Sequence, residues 1–155
     1  MADIFDEFQG LVKKINQEKI DYAICGGWAM AIHGLPRATV DIDLLVLSEN
    51  LNAAWRIAEN LGYCIEGLPL SFDNGTVEIR RISKIDEKSK TLLTVDFLLV
   101  TEALKQVWRT RESIDFEADT VWTVSREGLI FMKQISGRAR DLEDIERLSE
   151  LENES

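Results

Sequence analysis

Cysteine, proline and histidine are all scarce in this chain of 155 residues, which has two cysteines, two prolines and one histidine. Cys25 and Cys64 are too few and too far apart for a disulfide framework or a thiolate metal site, so both are expected as buried free thiols. No apolar stretch approaches the ~20 residues that span a bilayer, and Met1 to Asp6 carry no basic segment followed by an apolar run. A cytoplasmic protein without membrane contact is the expectation. Positive charge is also in deficit, with 18 Lys and Arg against 28 Asp and Glu, a formal charge of −10. Such a field repels phosphate backbones and argues against non-specific duplex nucleic acid, while a nucleotide can still bind where cations or a few basic side chains reverse the local potential.

What is present is the material of a core. Hydrophobic residues make up 45% of the chain, including four Trp and six Phe, which excludes a disordered chain. The length predicts a single domain over residues 1–155, with C-terminal helices at about 125–152. The spacing of Ile4, Phe5, Phe8, Leu11, Val12 and Ile15 predicts an amphipathic first helix. Tyr22 to Cys25 reads as a buried strand, Trp28 to His33 as a short helix, and Val40 to Leu47 as a second strand. A helix over Leu51 to Leu61 ends at Gly62, and a strand follows around Tyr63 to Glu66. The stretch from there through Gly75 is rich in turn residues. Thr76 to Ile82 and Leu92 to Val100 form an expected antiparallel pair, Thr101 is placed to cap a helix through Trp108, and Val121 to Val124 is a short strand. Ser125 caps a helix that Gly137 ends, and in the last helix Leu142, Ile145, Leu148 and Leu151 are expected on the inner face. The fold class is α/β (α+β), a small mixed sheet flanked by helices.

Chemistry concentrates between Cys25 and Val46. Gly26 and Gly27, between a strand and a helix, permit close backbone approach, and the helix start offers free N–H groups to a phosphate. Alternation along the strand puts Asp41 and Asp43 on one face and Val40, Ile42 and Leu44 on the other. Two like charges side by side are unfavourable without a cation, and hard oxygen ligands suit Mg²⁺ or Mn²⁺. Asp96 interrupts the apolar run Leu92 to Val100, where an ionised group needs a metal or a paired base such as Arg80 or Arg81. If the two strands are neighbours, three carboxylates converge.

With these residues the sequence resembles the polymerase-β-like nucleotidyltransferase superfamily, and most closely AbiEii-like minimal enzymes and antibiotic nucleotidyltransferases. The resemblance rests on Gly26-Gly27-Trp28-Ala29, on Arg37-Ala38-Thr39-Val40-Asp41-Ile42-Asp43-Leu44, on Asp96, and on the stretches Leu129 to Lys133 and Gly137 to Ile145. It implies the nucleotidyltransferase fold and Mg²⁺- or Mn²⁺-dependent transfer of an NMP group from an NTP, expected to be ATP. The acceptor would be a hydroxyl of a small molecule, a protein or an RNA end, with pyrophosphate released. It implies Asp41, Asp43 and Asp96 as catalytic and metal-binding residues, Asp96 also as general base, and Gly26 and Gly27 on the phosphates. Arg37 and Lys133 would neutralise the triphosphate. Many relatives carry Gly-Ser where this chain has Gly26-Gly27, so a hydroxyl contact to phosphate is replaced by backbone N–H groups alone. Antibiotic resistance and a toxin–antitoxin pair are the settings implied. The alternative is a catalytically inactive nucleotide- or partner-binding module of the same fold, for example within a toxin–antitoxin system. A homo-oligomer or cognate partner protein could complete an acceptor site.

His33, Trp28 and the charged stretch Arg138 to Arg147 are read structurally, as a helix-end contact, a core or pocket-wall residue, and a solvated helix face. Arg80 and Arg81, when not paired with Asp96, read as an exposed strand face.

Overall fold

The structure is a computed structural model, and it describes residues 4–36 and 39–153. Among these are eight strands and six α-helices. The first helix, α1 (Ile4–Gln17), buries Phe8, Leu11, Val12 and Ile15. Strand β1 (Ala23–Cys25) runs directly into α2 (Gly26–Ile32), so the paired glycines begin the helix rather than precede it. Strand β2 (Asp41–Val46) is followed by a 3₁₀ turn, Ser48–Asn50, and α3 (Leu51–Asn60). Strands β3 (Ile65–Glu66), β4 (Leu70–Phe72), β5 (Val77–Ile85) and β6 (Leu92–Leu99) come next. After a 3₁₀ turn, Glu102–Leu104, the chain forms α4 (Lys105–Arg109), β7 (Glu112–Phe116), β8 (Asp119–Thr123), α5 (Arg126–Ser136) and α6 (Ala139–Asn153).

The strands form one mixed sheet in the order β3-β5-β6-β2-β1-β8-β7, with β4 paired to β5 beside β3. Strand β2 is central, antiparallel to β1 and parallel to β6. Strand β5 runs antiparallel to β6, the pairing expected from the sequence. The mixed α/β class expected from the sequence is the class observed.

The side of β2 and β6 that carries Ile42, Leu44, Val95 and Phe97 is fully buried, and α3 covers it through Trp55, whose ring lies 6.1 Å from that of Phe97. Helix α1 docks on α2 through Phe8, stacked on Trp28 at 4.2 Å, and Trp28 is a core residue as expected. On the other side the sheet faces α5 and α6 across a cleft. The start of α5 is specified locally, because the Ser125 hydroxyl accepts from the Gly128 amide at 3.0 Å, and its end is the left-handed Gly137.

Several expectations need correction. Strands β4 and β7 form where turns or no element were expected, because short, exposed edge strands carry little apolar signal. Cys64 is exposed, since β3 lies at the sheet edge, whereas Cys25 is buried; both are free thiols. Thr101 does not cap a helix through its side chain. In α6 the inner face is Asp141, Asp144 and Leu148, while Leu142 is exposed. A buried ion-pair network, described below, holds these two acids inside. No described helix is long and apolar enough to cross a membrane.

Candidate active site

The centre of the cleft is a row of four side chains on four adjacent strands. Cys25 on β1 pairs in register with Asp43 on β2, Asp43 with Asp96 on β6, and Asp96 with Arg81 on β5. In-register residues of neighbouring strands point to the same face, so one thiol, two carboxylates and a guanidinium stand side by side. One step along the strands, Asp41 pairs with Thr94 and Thr94 with Ser83. The hydroxyls of Thr94 and Ser83 hydrogen-bond at 3.0 Å in a buried position. Asp41, Asp43 and Asp96 all line a cleft of about 900 Å³ between the sheet and the α5–α6 pair.

The local sequence explains how close these groups come. Gly26 adopts φ +66°, and a β-carbon there would overlap the carboxylate of Asp43. A β-carbon on Gly27 would come 3.2 Å from that of Thr39. The Thr39 hydroxyl accepts from the Asp41 amide at 3.2 Å and so braces the start of β2. The glycine pair therefore creates the space that Asp43 and Thr39 fill.

Burial pushes the Asp43 carboxyl up to about 7, helped by the negative charges of Asp96 and Asp41. Asp41 is also raised, by partial burial and by Asp96. The Cys25 thiol is pushed well up by burial and by Asp43, so it is an inert neutral neighbour. Asp96 is 5% exposed, and both its oxygens are taken by Arg81, Oδ1 accepting from Nε at 2.7 Å and Oδ2 from Nη2 at 2.9 Å. The pairing with Arg81 weighed from the sequence and the placement of Asp96 beside Asp43 are thus both present.

Across the cleft stand Arg138, Arg140 and Lys133. Arg138 favours the ionised form of Asp43, and Arg140 that of Asp41, which places both arginines within electrostatic reach of the carboxylates. Lys133 lines the cleft, but its ammonium is committed to Asp144 at 2.8 Å and lies 3.6 Å from Asp141. Burial alone would raise Asp141; hydrogen bonds from Arg138 and Ser136, with the charges of Arg138 and Lys133, outweigh it and hold the carboxyl at about 2. The stretch from Arg138 onward is therefore not a purely solvated face. The repeat Asp141, Asp144, Leu148, Leu151, spaced by three and four, was the signal that these acids face inward. Arg37 lies outside the described residues. His33 serves as the expected helix-end contact, its Nε2 donating to the Val124 carbonyl at 2.9 Å.

A hard divalent cation fits the donor set at Asp41 and Asp43, whose mutual repulsion and burial it would relieve. With Asp96 engaged by Arg81, no three His, Cys, Asp or Glu side chains among the described residues are arranged to hold a metal ion together.

A sequence profile described as "Nucleotidyltransferase of unknown function (DUF6036)" matches residues 1–153. The chain belongs to this nucleotidyltransferase family. No curated protein matches it in sequence. Solved structures with the same fold as this nucleotidyltransferase include a Thermotoga maritima protein described as a nucleotidyltransferase (16% identity, TM-score 0.63, 97% of this chain and 93% of that one). The lincosamide antibiotic adenylyltransferase LnuA, with lincomycin bound, is 14% identical (TM-score 0.62, covering 93% and 95%). ANT(2")-Ia, in complex with adenylyl-2"-tobramycin, is 18% identical (TM-score 0.64, covering 92% and 85%). The fold and reaction class expected from the resemblance are thus those of the family to which the enzyme belongs.

Proposed function

We propose that this nucleotidyltransferase moves an NMP group from an NTP, ATP in the first instance, to a hydroxyl of a small-molecule acceptor. The observation that carries the reading is the in-register placement of Asp43 and Asp96 beside Asp41, facing three basic residues across one cleft. The acceptor oxygen forms a bond to the α-phosphorus, the bond from that phosphorus to the β-phosphate oxygen breaks, and pyrophosphate leaves with the electron pair. The hydroxyl proton goes to a carboxylate, the role this reading gives to Asp96. A divalent cation, Mg²⁺ or Mn²⁺, held by Asp41 and Asp43 would neutralise phosphate charge and polarise the α-phosphate.

The chain's own groups do the rest. Gly26 and Gly27 leave the carboxylates room beside the strand-to-helix junction, and Arg138 and Arg140 supply positive charge opposite them. Lys133, its ammonium committed to Asp144, holds the α5–α6 wall together and leaves the neutralising of phosphate charge to the two arginines. The adenylyl transfer named for LnuA and ANT(2")-Ia supports ATP as donor and a small polyfunctional acceptor. The apolar side of the cleft, with Leu70, Phe72, Val77 and Ile79, suits an acceptor with an apolar face.

The test is release of pyrophosphate and transfer of label from α-labelled ATP, with Mg²⁺ or Mn²⁺, across antibiotics, tRNAs and cell extract. Label transfer that Asp41→Asn and Asp43→Asn each abolish is the expected result. A wild-type protein whose melting temperature ignores ATP with either cation, and which transfers no label, would sink the reading in favour of an inactive module.

A further inference from the structure

The third carboxylate of the site, Asp96, is already occupied. Both oxygens of Asp96 face the Arg81 fork, at 2.7 and 2.9 Å, although the residue lies directly across from Asp43. A carboxylate held this way has its best lone pairs turned to the guanidinium, away from the space beside Asp41 and Asp43. The two partners are not equally fixed. The Asp96 side chain is 7% exposed and sits in the middle of a strand paired on both sides, whereas the Arg81 side chain is 43% exposed and borders the open cleft. A phosphate presents the same two-oxygen edge to a guanidinium as a carboxylate does. When an NTP enters, the group able to change partners is Arg81.

We propose that Arg81 is a positioning residue that keeps Asp96 out of the cation site in the empty enzyme, and that an NTP draws the guanidinium onto its phosphate oxygens and so releases Asp96. Cation and nucleotide binding are thereby coupled through this chain's own ion pair, beyond any chelation between them. Without nucleotide, a cation has Asp41 and Asp43; with nucleotide it gains Asp96. The inference rests on the nucleotidyl-transfer reading above.

Mn²⁺ affinity, read from the electron paramagnetic resonance of free Mn²⁺, tests this without turnover. It is measured with and without α,β-methylene ATP for the wild type, Asp96→Asn, Arg81→Lys and the double variant. Without nucleotide, Asp96→Asn is expected to change the wild-type affinity by no more than about threefold; with nucleotide it weakens binding at least tenfold. Arg81→Lys keeps the charge but loses the fork, and is expected to tighten nucleotide-free binding about tenfold, a gain that Asp96→Asn removes. A tenfold loss for Asp96→Asn without nucleotide would show Asp96 to be a ligand already and overturn the lock. Equal small effects of Asp96→Asn with and without nucleotide would overturn it too, and that comparison needs no Arg81 variant to fold. If the wild type binds Mn²⁺ in neither condition, the cation reading falls along with the lock, whereas either of the other outcomes leaves that reading standing.

Discussion

The carboxylate of Asp43 lies against Gly26 so closely that a β-carbon at position 26 would overlap its Oδ2. The same glycine has φ +66°, in the region that other L-residues reach only with strain. Backbone strain and side-chain crowding thus act at a single site, at the junction of β1 and α2.

Gly26→Ala is expected to cost roughly 3 kcal/mol, from strain and overlap together, and to lower the transfer rate about 100-fold by displacing Asp43. Gly34 provides the control. Its φ is +92° but a β-carbon there meets nothing within 4 Å, so Gly34→Ala should cost only about 1–2 kcal/mol and leave the rate intact. Denaturant melts with label-transfer assays on both variants check this; similar rates for the two would separate Gly26 from Asp43.

The pH dependence of stability follows from Asp43. Its carboxyl titrates at about 7 in the folded chain, against 3.8 for the unperturbed group, so the folded state holds an extra proton between these values. The penalty for charging it is fully present above pH 7 and disappears as pH falls toward 4. Asp41, raised in the same direction, adds to the trend. Asp141, held at about 2, works the other way, and its stabilisation is lost only as pH falls from about 4 to 2. In cation-free buffer Asp43→Asn should therefore melt several degrees above the wild type at pH 8, with the gap closing near pH 4. A gap that stays constant from pH 8 to pH 4 would remove the raised carboxyl from the account.

The buried pair of Lys133 and Asp144 ties α5 to α6 along one wall of the cleft. Asp144→Leu alone leaves the ammonium buried with only the more distant Asp141 and should cost about 3–5 kcal/mol. Lys133→Met with Asp144→Leu removes both charges and should recover most of that loss. Urea unfolding of the single and double variants measures it, and a double variant as unstable as the single one would mean the loss comes from packing rather than from an unpaired charge.

How much of this was legible in the sequence depends on how local the signal is. Ser125 and Gly137 bound α5 through contacts within a few residues, and the caps read from sequence are those observed. The pairing of β5 and β6 was legible because two strand-like segments flank a short polar, Lys-rich connection. Strands β4 and β7 were missed because half-exposed edges impose little. In α6 the leucines suggested one inner face, yet Asp141 and Asp144 occupy it; their spacing with Leu148 fits a helix face, but acids in such a pattern read as solvated until their partner Lys133, on another helix, is in place.

The sequence by itself determined that Asp41 and Asp43 share a face, because side chains alternate strictly along a strand, and that a glycine pair precedes them at a strand-to-helix junction. Only the tertiary structure decided that Asp96 stands opposite Asp43 and that Arg81, rather than Arg80, holds it. Register between strands is set by which faces the whole sheet buries, and a slip of one residue would have turned Asp96 toward α3 and left the row incomplete. That is a global choice, made by Phe97, Val95 and Ile82 burying together on the far face.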